Sequence, residues 1–272
     1  MEVIKIKTLT LEVKENTIKM LVIEKYFGYV KFINMKTFEF NQIDQNGLIL
    51  DINKLSKIIK NELNNFKIPC RRISFAVQNE SIINRNVKVI NTGYKGDIKG
   101  LIAYELSEYL PINIKDYILK YNILKKEEDY LDVQAILMPI SLMKNYRELA
   151  KLLKFKPISL SVNFDILNKL IYNEDIEIEG ENNLILDIGR QYTNVNLIKN
   201  KLIINSYTLN NMNVYEFLNN EIENNYGKIY YYGFQNCELI KNLNTKFKLN
   251  KLFLKDAKQD ELNNFINNIG LI

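Results

Sequence analysis

The chain opens on alternation. Between residues 3 and 40 the runs "LTLEV", "IKMLVIE", "YVKFINM" and "FEF" place apolar side chains at every second position. Period two with β-branched and aromatic residues predicts antiparallel strands. The period then changes. Leu55, Ile58, Ile59 and Leu63 recur at helical spacing, which predicts an amphipathic helix over 53–66, with Pro69 beyond its end. "RISFAVQ" (72–78) reads as a buried strand and residues 81–91 as an alternating one. Gly93, Gly96 and Gly100 mark a turn region, and a helix follows with Asp97 as N-cap and Pro111 as its stop. Strands are expected at 117–124 and 132–138, then a long helix with Pro139 at its start. A strand at 157–163 and a helix at 164–172 lead into an acidic, Gly-containing loop, 173–183.

The second half begins with "LILDIGRQYTNVNLI" (184–198), a buried strand, a polar turn and an alternating return. A third strand (201–209), a helix (214–227), the strand "KIYYYGF" with a turn at Gly233, a helix, a strand and a terminal helix complete the chain. Strands alternate with helices in both halves, so the fold class is α/β. In the terminal helix Leu262, Phe265, Ile266 and Ile269 form a stripe whose neighbours are mostly Asn. Without a basic cluster beside it, that stripe is expected to dock on the protein and not in a membrane.

Composition narrows the chemistry. The 272 residues carry a formal charge of +5, and the lysines are spread along the whole chain, which does not favour nucleic acid as a partner. There is no histidine, which excludes Ser-His-Asp triads and His-ligated metals. The two cysteines, Cys70 and Cys237, cannot build a four-Cys zinc site, and so few of them suit a reduced, cytoplasmic location. The first residues, "MEVIKIKTLTLEV", read as a strand and not as a signal peptide. No apolar run approaches the ~20 residues that span a bilayer. The abundance of Asn, Lys and Ile reads as the bias of an AT-rich genome, without function.

Three stretches taken in order, "YELSEYLPINIKDYILKYNIL", "DVQAILMPISLMKNYRELAKLLKFKPISLSVNFDIL" and "LILDIGRQYTNVNLI", resemble the PilM family of type IV pilus assembly proteins. Glu105, Tyr109 and Pro111 match one family pattern and Lys156-Pro157 another, and the resemblance covers roughly residues 70–209. It implies an actin-like (ribonuclease H-like) fold with an inserted subdomain, 1C. On that basis residues 1–78 form subdomain 1A, 79–155 the inserted unit and 156–272 subdomain 2A. About twenty residues between Asn210 and Ile229 leave space for one helix, so subdomain 2B, which closes over the nucleotide, is expected to be missing. The resemblance further implies a cytoplasmic scaffold under the inner membrane. It would bind the cytosolic tail of a PilN-like membrane protein and thereby face the pilus motor ATPases.

Actin-like proteins hold ATP and magnesium with two hairpins and a glycine-rich adenine loop, each hairpin needing a carboxylate and small residues. Asp187 and Gly189 keep the pattern in the second hairpin. Aligned by its strands, "VIEKYFGYVKF" supplies Glu24 and Lys31 to the first, with Tyr26 and Phe27 in the phosphate space. Gly233 alone stands for the adenine loop. Glu24, Asp187, Gly189 and Gly233 therefore read as a vestigial nucleotide site, with no catalytic or metal-binding residue, no required cofactor, and a pseudo-ATPase as the outcome. For the partner tail, Tyr104, Tyr109 and Tyr121 offer apolar faces with polar tips. Arg85 and Lys88 offer charge, on opposite faces of one strand. Two alternatives stay open: an actin-like ATPase or sugar-kinase relative with Glu24 and Asp187 on the metal, and an FtsA-like division adaptor.

Overall fold

The structure is a computed structural model that describes residues 6–26, 29–44, 47–93, 98–223, 227–234, 238–255 and 260–272. Phe27, Gly96, Asp97 and Cys237 of the sequence reading lie outside these residues.

The first sheet has the order β3-β2-β1-β4-β8. It contains β1 (Ile6–Lys14), β2 (Thr17–Tyr26), β3 (Tyr29–Glu39), β4 (Arg72–Val77) and β8 (Lys156–Val162). The second has the order β11-β10-β9-β12-β13. Its strands are β9 (Asn182–Ile188), β10 (Tyr192–Lys199), β11 (Leu202–Asn210), β12 (Lys228–Gly233) and β13 (Leu249–Lys251). In each sheet two antiparallel pairings build a three-stranded meander, and two parallel pairings extend it. The fold is thus one unit built twice.

Local chemistry explains the elements. α1 (Ile52–Asn65) buries Leu55, Ile59 and Leu63, one stripe at four-residue spacing, and the Asp51 side chain accepts from Lys54 N at 2.8 Å to cap it. β9 carries Leu184, Ile185, Leu186 and Ile188, all buried, because both of its faces are covered. On one face lies the main core, shared with the first sheet, α1, α3 (Ile140–Leu153) and α4 (Asn163–Tyr172). On the other lie α5 (Asn211–Glu223) and α6 (Glu238–Asn244), through Val214, Leu218, Ile240 and Leu243.

A third sheet, β5-β7-β6, stands apart with its own core. β5 (Ile83–Ile90), β6 (Tyr117–Lys126) and β7 (Tyr130–Pro139) are covered by α2 (Ile98–Tyr109), which buries Ile98, Ile102 and Leu106. The inserted unit is therefore the βαββ stretch 83–139. α3, which the sequence reading placed within 79–155, packs on α1 and buries Leu142, Tyr146 and Leu149 in the main core. β8, assigned with the last third, completes the first sheet, because its parallel pairing with β4 starts from the short Phe155 turn after α3.

α5 alone connects β11 to β12 among the described residues, and the three residues 224–226 beyond it leave no space for a closing subdomain. The terminal segment is a 3₁₀ turn (Asp260–Phe265) followed by α7 (Ile266–Gly270). Leu262, Phe265 and Ile266 are buried, so the stripe docks inward. Among the described residues no helix is long and apolar enough to cross a membrane.

Candidate functional site

The two halves meet at the turns of their first hairpins. In the second half Asp187 pairs in register with Asn194, seven residues on. In the first half the same spacing relates Glu12 to Lys19 across β1 and β2. Glu12, and not Glu24, is thus the counterpart of Asp187. Both carboxylates are buried, and Asn267 of α7 joins them: its Nδ2 donates to Glu12 Oε1 at 2.7 Å and to Asp187 Oδ2 at 3.3 Å. Glu24 sits toward the other end of β2, in register with Lys7 and Lys31, and takes no part. The pair Glu24 and Lys31 shows the same seven-residue spacing as Glu12 and Lys19, which is why the later hairpin fits the pattern equally well in sequence. Tyr26 lies beside Glu24, away from the carboxylates, so it does not fill the phosphate region.

The groups around the carboxylates are internal. Lys14 stands two residues after Glu12, where Gly189 follows Asp187. Its Nζ donates to Asp187 Oδ1 at 2.6 Å and to the Asp187 carbonyl at 2.9 Å. Lys19 Nζ lies 3.0 Å from Glu12 Oε2. Asn163, at the start of α4, donates to Asp187 Oδ2 at 3.0 Å and to Tyr232 Oη at 2.6 Å. Tyr232, opposite Asp187 in register, donates to Asn267 Oδ1 at 2.9 Å. Burial raises the Tyr232 hydroxyl well above its ordinary value, and the charges of Asp187 and Glu12 add to the effect. Asn194 and Asn196 of β10 extend the network to Thr208 and Ser206 of β11. Ammonium and amide groups of this kind are the partners that two buried carboxylates require.

The Glu15 carboxylate reaches across to the second hairpin. It accepts from the backbone N–H groups of Arg190, Gln191 and Tyr192, each at 2.9 Å. Two cavities of about 320 Å³ flank this bridge, and Lys14, Glu15 and Arg190 line both. Gly189 and Gly233 line the first of these cavities, and neither position has space for a side chain. A Cβ on Gly189 would lie 2.6 Å from Glu15 Oε1, and one on Gly233 2.3 Å from the Ile188 carbonyl oxygen. Arg190 pairs with Glu39 at 2.5 Å and lies over the Phe234 ring at 5.3 Å. Among the described residues no group of three or more His, Cys, Asp or Glu could hold a metal ion. Here the Lys14 ammonium group sits on the carboxylate a cation would use, and the Glu15 carboxylate sits on the amides a phosphate would use.

Of the five residues assigned to a partner tail, Arg85 and Tyr121 share one row of the third sheet, each in register with Ala135, and the other three lie elsewhere on the inserted unit. Tyr104 and Tyr109 are 67% and 73% exposed on α2, five positions and so about 140° apart around the helix. A hydrogen bond to Glu105 raises the Tyr109 hydroxyl above its ordinary value. Tyr121 lies half-buried on β6 against the core of the inserted unit, and Lys88 rests 4.0 Å from the centre of the Tyr130 ring. Arg85 lines a crevice, a space of about 220 Å³ between β5 and β11 that Gln78, Asn84, Phe164 and Thr208 also line. Asn84 is buried there with both side-chain polar atoms unpartnered, and Gln78 Oε1 is unpartnered as well. Each of the strands β5 and β11 forms an edge of its sheet.

Sequence reasoning missed Glu12, Lys14, Glu15 and the asparagines. The signal was the parallel between Glu12-Val13-Lys14 and Asp187-Ile188-Gly189, each an acid and a β-branched residue ahead of a hairpin turn.

No protein-family model matches the chain, and no curated protein matches its sequence. Solved structures do. The chain superposes on one from a PilM–PilN type IV pilus biogenesis complex with a TM-score of 0.80 over 97% of each chain, at 15% identity. A Bacteroides thetaiotaomicron protein with an actin-like ATPase fold gives 0.56 at 10% identity, covering 96% and 95% of the two chains. The cytoplasmic domain of EpsL, an inner-membrane component of the Vibrio cholerae type II secretion system, gives 0.54 at 13%, covering 93% and 87%. The doubled sheet, the inserted βαββ unit and these likenesses together assign the chain the actin-like fold in its PilM-like form.

Proposed function

We propose that this protein is a non-catalytic adaptor of a type IV pilus or related secretion machine. In this reading it captures the extended cytosolic tail of a PilN-like membrane protein and sits at the inner face of the membrane through that partner. The likeness to a chain of a PilM–PilN complex supports the partner class. The observation that carries the non-catalytic part is Lys14 on Asp187: an internal ammonium group holds the carboxylate on which a metal-dependent ATPase depends.

The crevice between β5 and β11 suits the tail. The free edges of β5 and β11 offer backbone partners to an extended strand, and the buried Asn84 amide beneath them, which nothing in the chain satisfies, adds polar groups that a small shift of the crevice wall would bring to it. Arg85 at the rim adds a charge for an acidic side chain or a carbonyl. Fluorescence anisotropy with a labelled peptide of the cognate tail tests the reading. Saturable binding without nucleotide is expected, weakened at least tenfold by Asn84→Leu and unchanged by Glu24→Ala. Absence of binding by the wild-type chain, or binding that requires ATP, refutes it.

A further inference from the structure

Glu15 is an unusual residue for its position. Its backbone has φ +51°, the left-handed region that side chains other than Gly and Asn rarely occupy. The turn it occupies is the counterpart of the one at 189–191 in the second half. A strained conformation persists where the surroundings over-determine it. Here three consecutive N–H groups, Arg190, Gln191 and Tyr192, converge on the one carboxylate at 2.9 Å each. Successive amides aimed at one point form a concave anion site whatever anion fills it. The hold is doubled by its neighbour, since Lys14 reaches the same hairpin through Asp187. Adjacent residues of one turn thus present a negative and a positive group to the opposite half.

We propose that the amides of 190–192 form an oxyanion site which the chain fills with its own Glu15 carboxylate, so that the two halves are clasped without a nucleotide. Filled in this way, the site is latent: taking the carboxylate away uncovers a seat for a small oxyanion such as inorganic phosphate. The inference concerns the clasp alone and stands or falls independently of peptide capture at the crevice.

Thermal unfolding in inorganic phosphate, against chloride at matched ionic strength, tests it on the full chain. The Glu15→Ala variant should melt several degrees below wild type, and phosphate should return part of that loss along a saturable curve. Wild type should show only the small, unsaturated rise that phosphate gives proteins in general. Equal responses of the two chains, or a saturable response of wild type, overturn the proposal. Amide hydrogen exchange keeps it falsifiable if Glu15→Ala does not fold. In wild type the amides of Arg190, Gln191 and Tyr192 should exchange slowly, and in Glu15→Gln at least tenfold faster. Fast exchange of all three in wild type also overturns it.

Discussion

Replacing Lys14 by Met removes the ammonium group from Asp187 and keeps most of the side-chain volume. Asp187 is 1% exposed and Lys14 12% exposed, so water cannot replace the lost partner freely. Breaking a buried pair by removing one member costs roughly 3–5 kcal/mol, because the other charge is left uncompensated. Asp187 keeps the hydrogen bond from Asn163 at 3.0 Å and a longer one from Asn267 at 3.3 Å, which argues for the lower end, about 3 kcal/mol. For a chain of this size ~1 kcal/mol moves Tm by about 2–4 °C, so the expected fall is roughly 6–12 °C. Asp187→Asn should cost a similar amount by stranding Lys14. The double variant has neither charge and should lose far less than the sum, with a coupling energy of at least ~1.5 kcal/mol. Guanidinium denaturation of the four chains measures this. Losses that add to within ~0.5 kcal/mol would show that the two residues act independently and would refute the Lys14–Asp187 pair as a tie between the halves.

Glu12→Gln should destabilise the chain by about 2 kcal/mol or more, since it strands Lys19 and disturbs Asn267, while Glu24→Ala should stay within ~0.5 kcal/mol; urea melts of both decide which acid belongs to the first hairpin. Gly233→Ala should cost more than ~2 kcal/mol, because its φ of +102° suits only Gly and its Cβ would press on backbone at 2.3 Å; a melting temperature close to wild type would contradict the geometry. Burial pushes the Cys70 thiol up from 9.0 to about 11, with Lys7 pulling weakly the other way. The unfolded chain therefore ionises first, and the Cys70 contribution to stability should be level below pH 9 and fall between about pH 9 and about 11; Cys70→Ala should remove that part of the slope.

The elements were legible because their periods are. Leu55, Ile59 and Leu63 mark α1, and alternation marks β1 to β3. The class followed from the order of strands and helices. The boundary of the inserted unit was not legible, since the apolar stripe of α3 says that it packs but not on what. The choice of hairpin failed for a related reason. Glu12 with Lys19 and Glu24 with Lys31 share a spacing, and only sheet register separates them. The asparagines were hidden by composition. In an Asn-rich chain Asn163, Asn194, Asn196 and Asn267 look like background, and long-range contacts alone, 104 positions apart for Asn163 and Asn267, make them one network. The crevice at Asn84 was out of reach too, because it forms between two sheet edges that lie far apart in sequence.

Isothermal titration of the purified chain with ATP at millimolar magnesium decides whether the two hairpin turns still admit a nucleotide. With Lys14 on Asp187 and Glu15 on the amides of 190–192, no saturable heat is expected at millimolar nucleotide. Stoichiometric, saturable binding in the micromolar range would mean that the clasp yields to nucleotide, and would contradict that expectation.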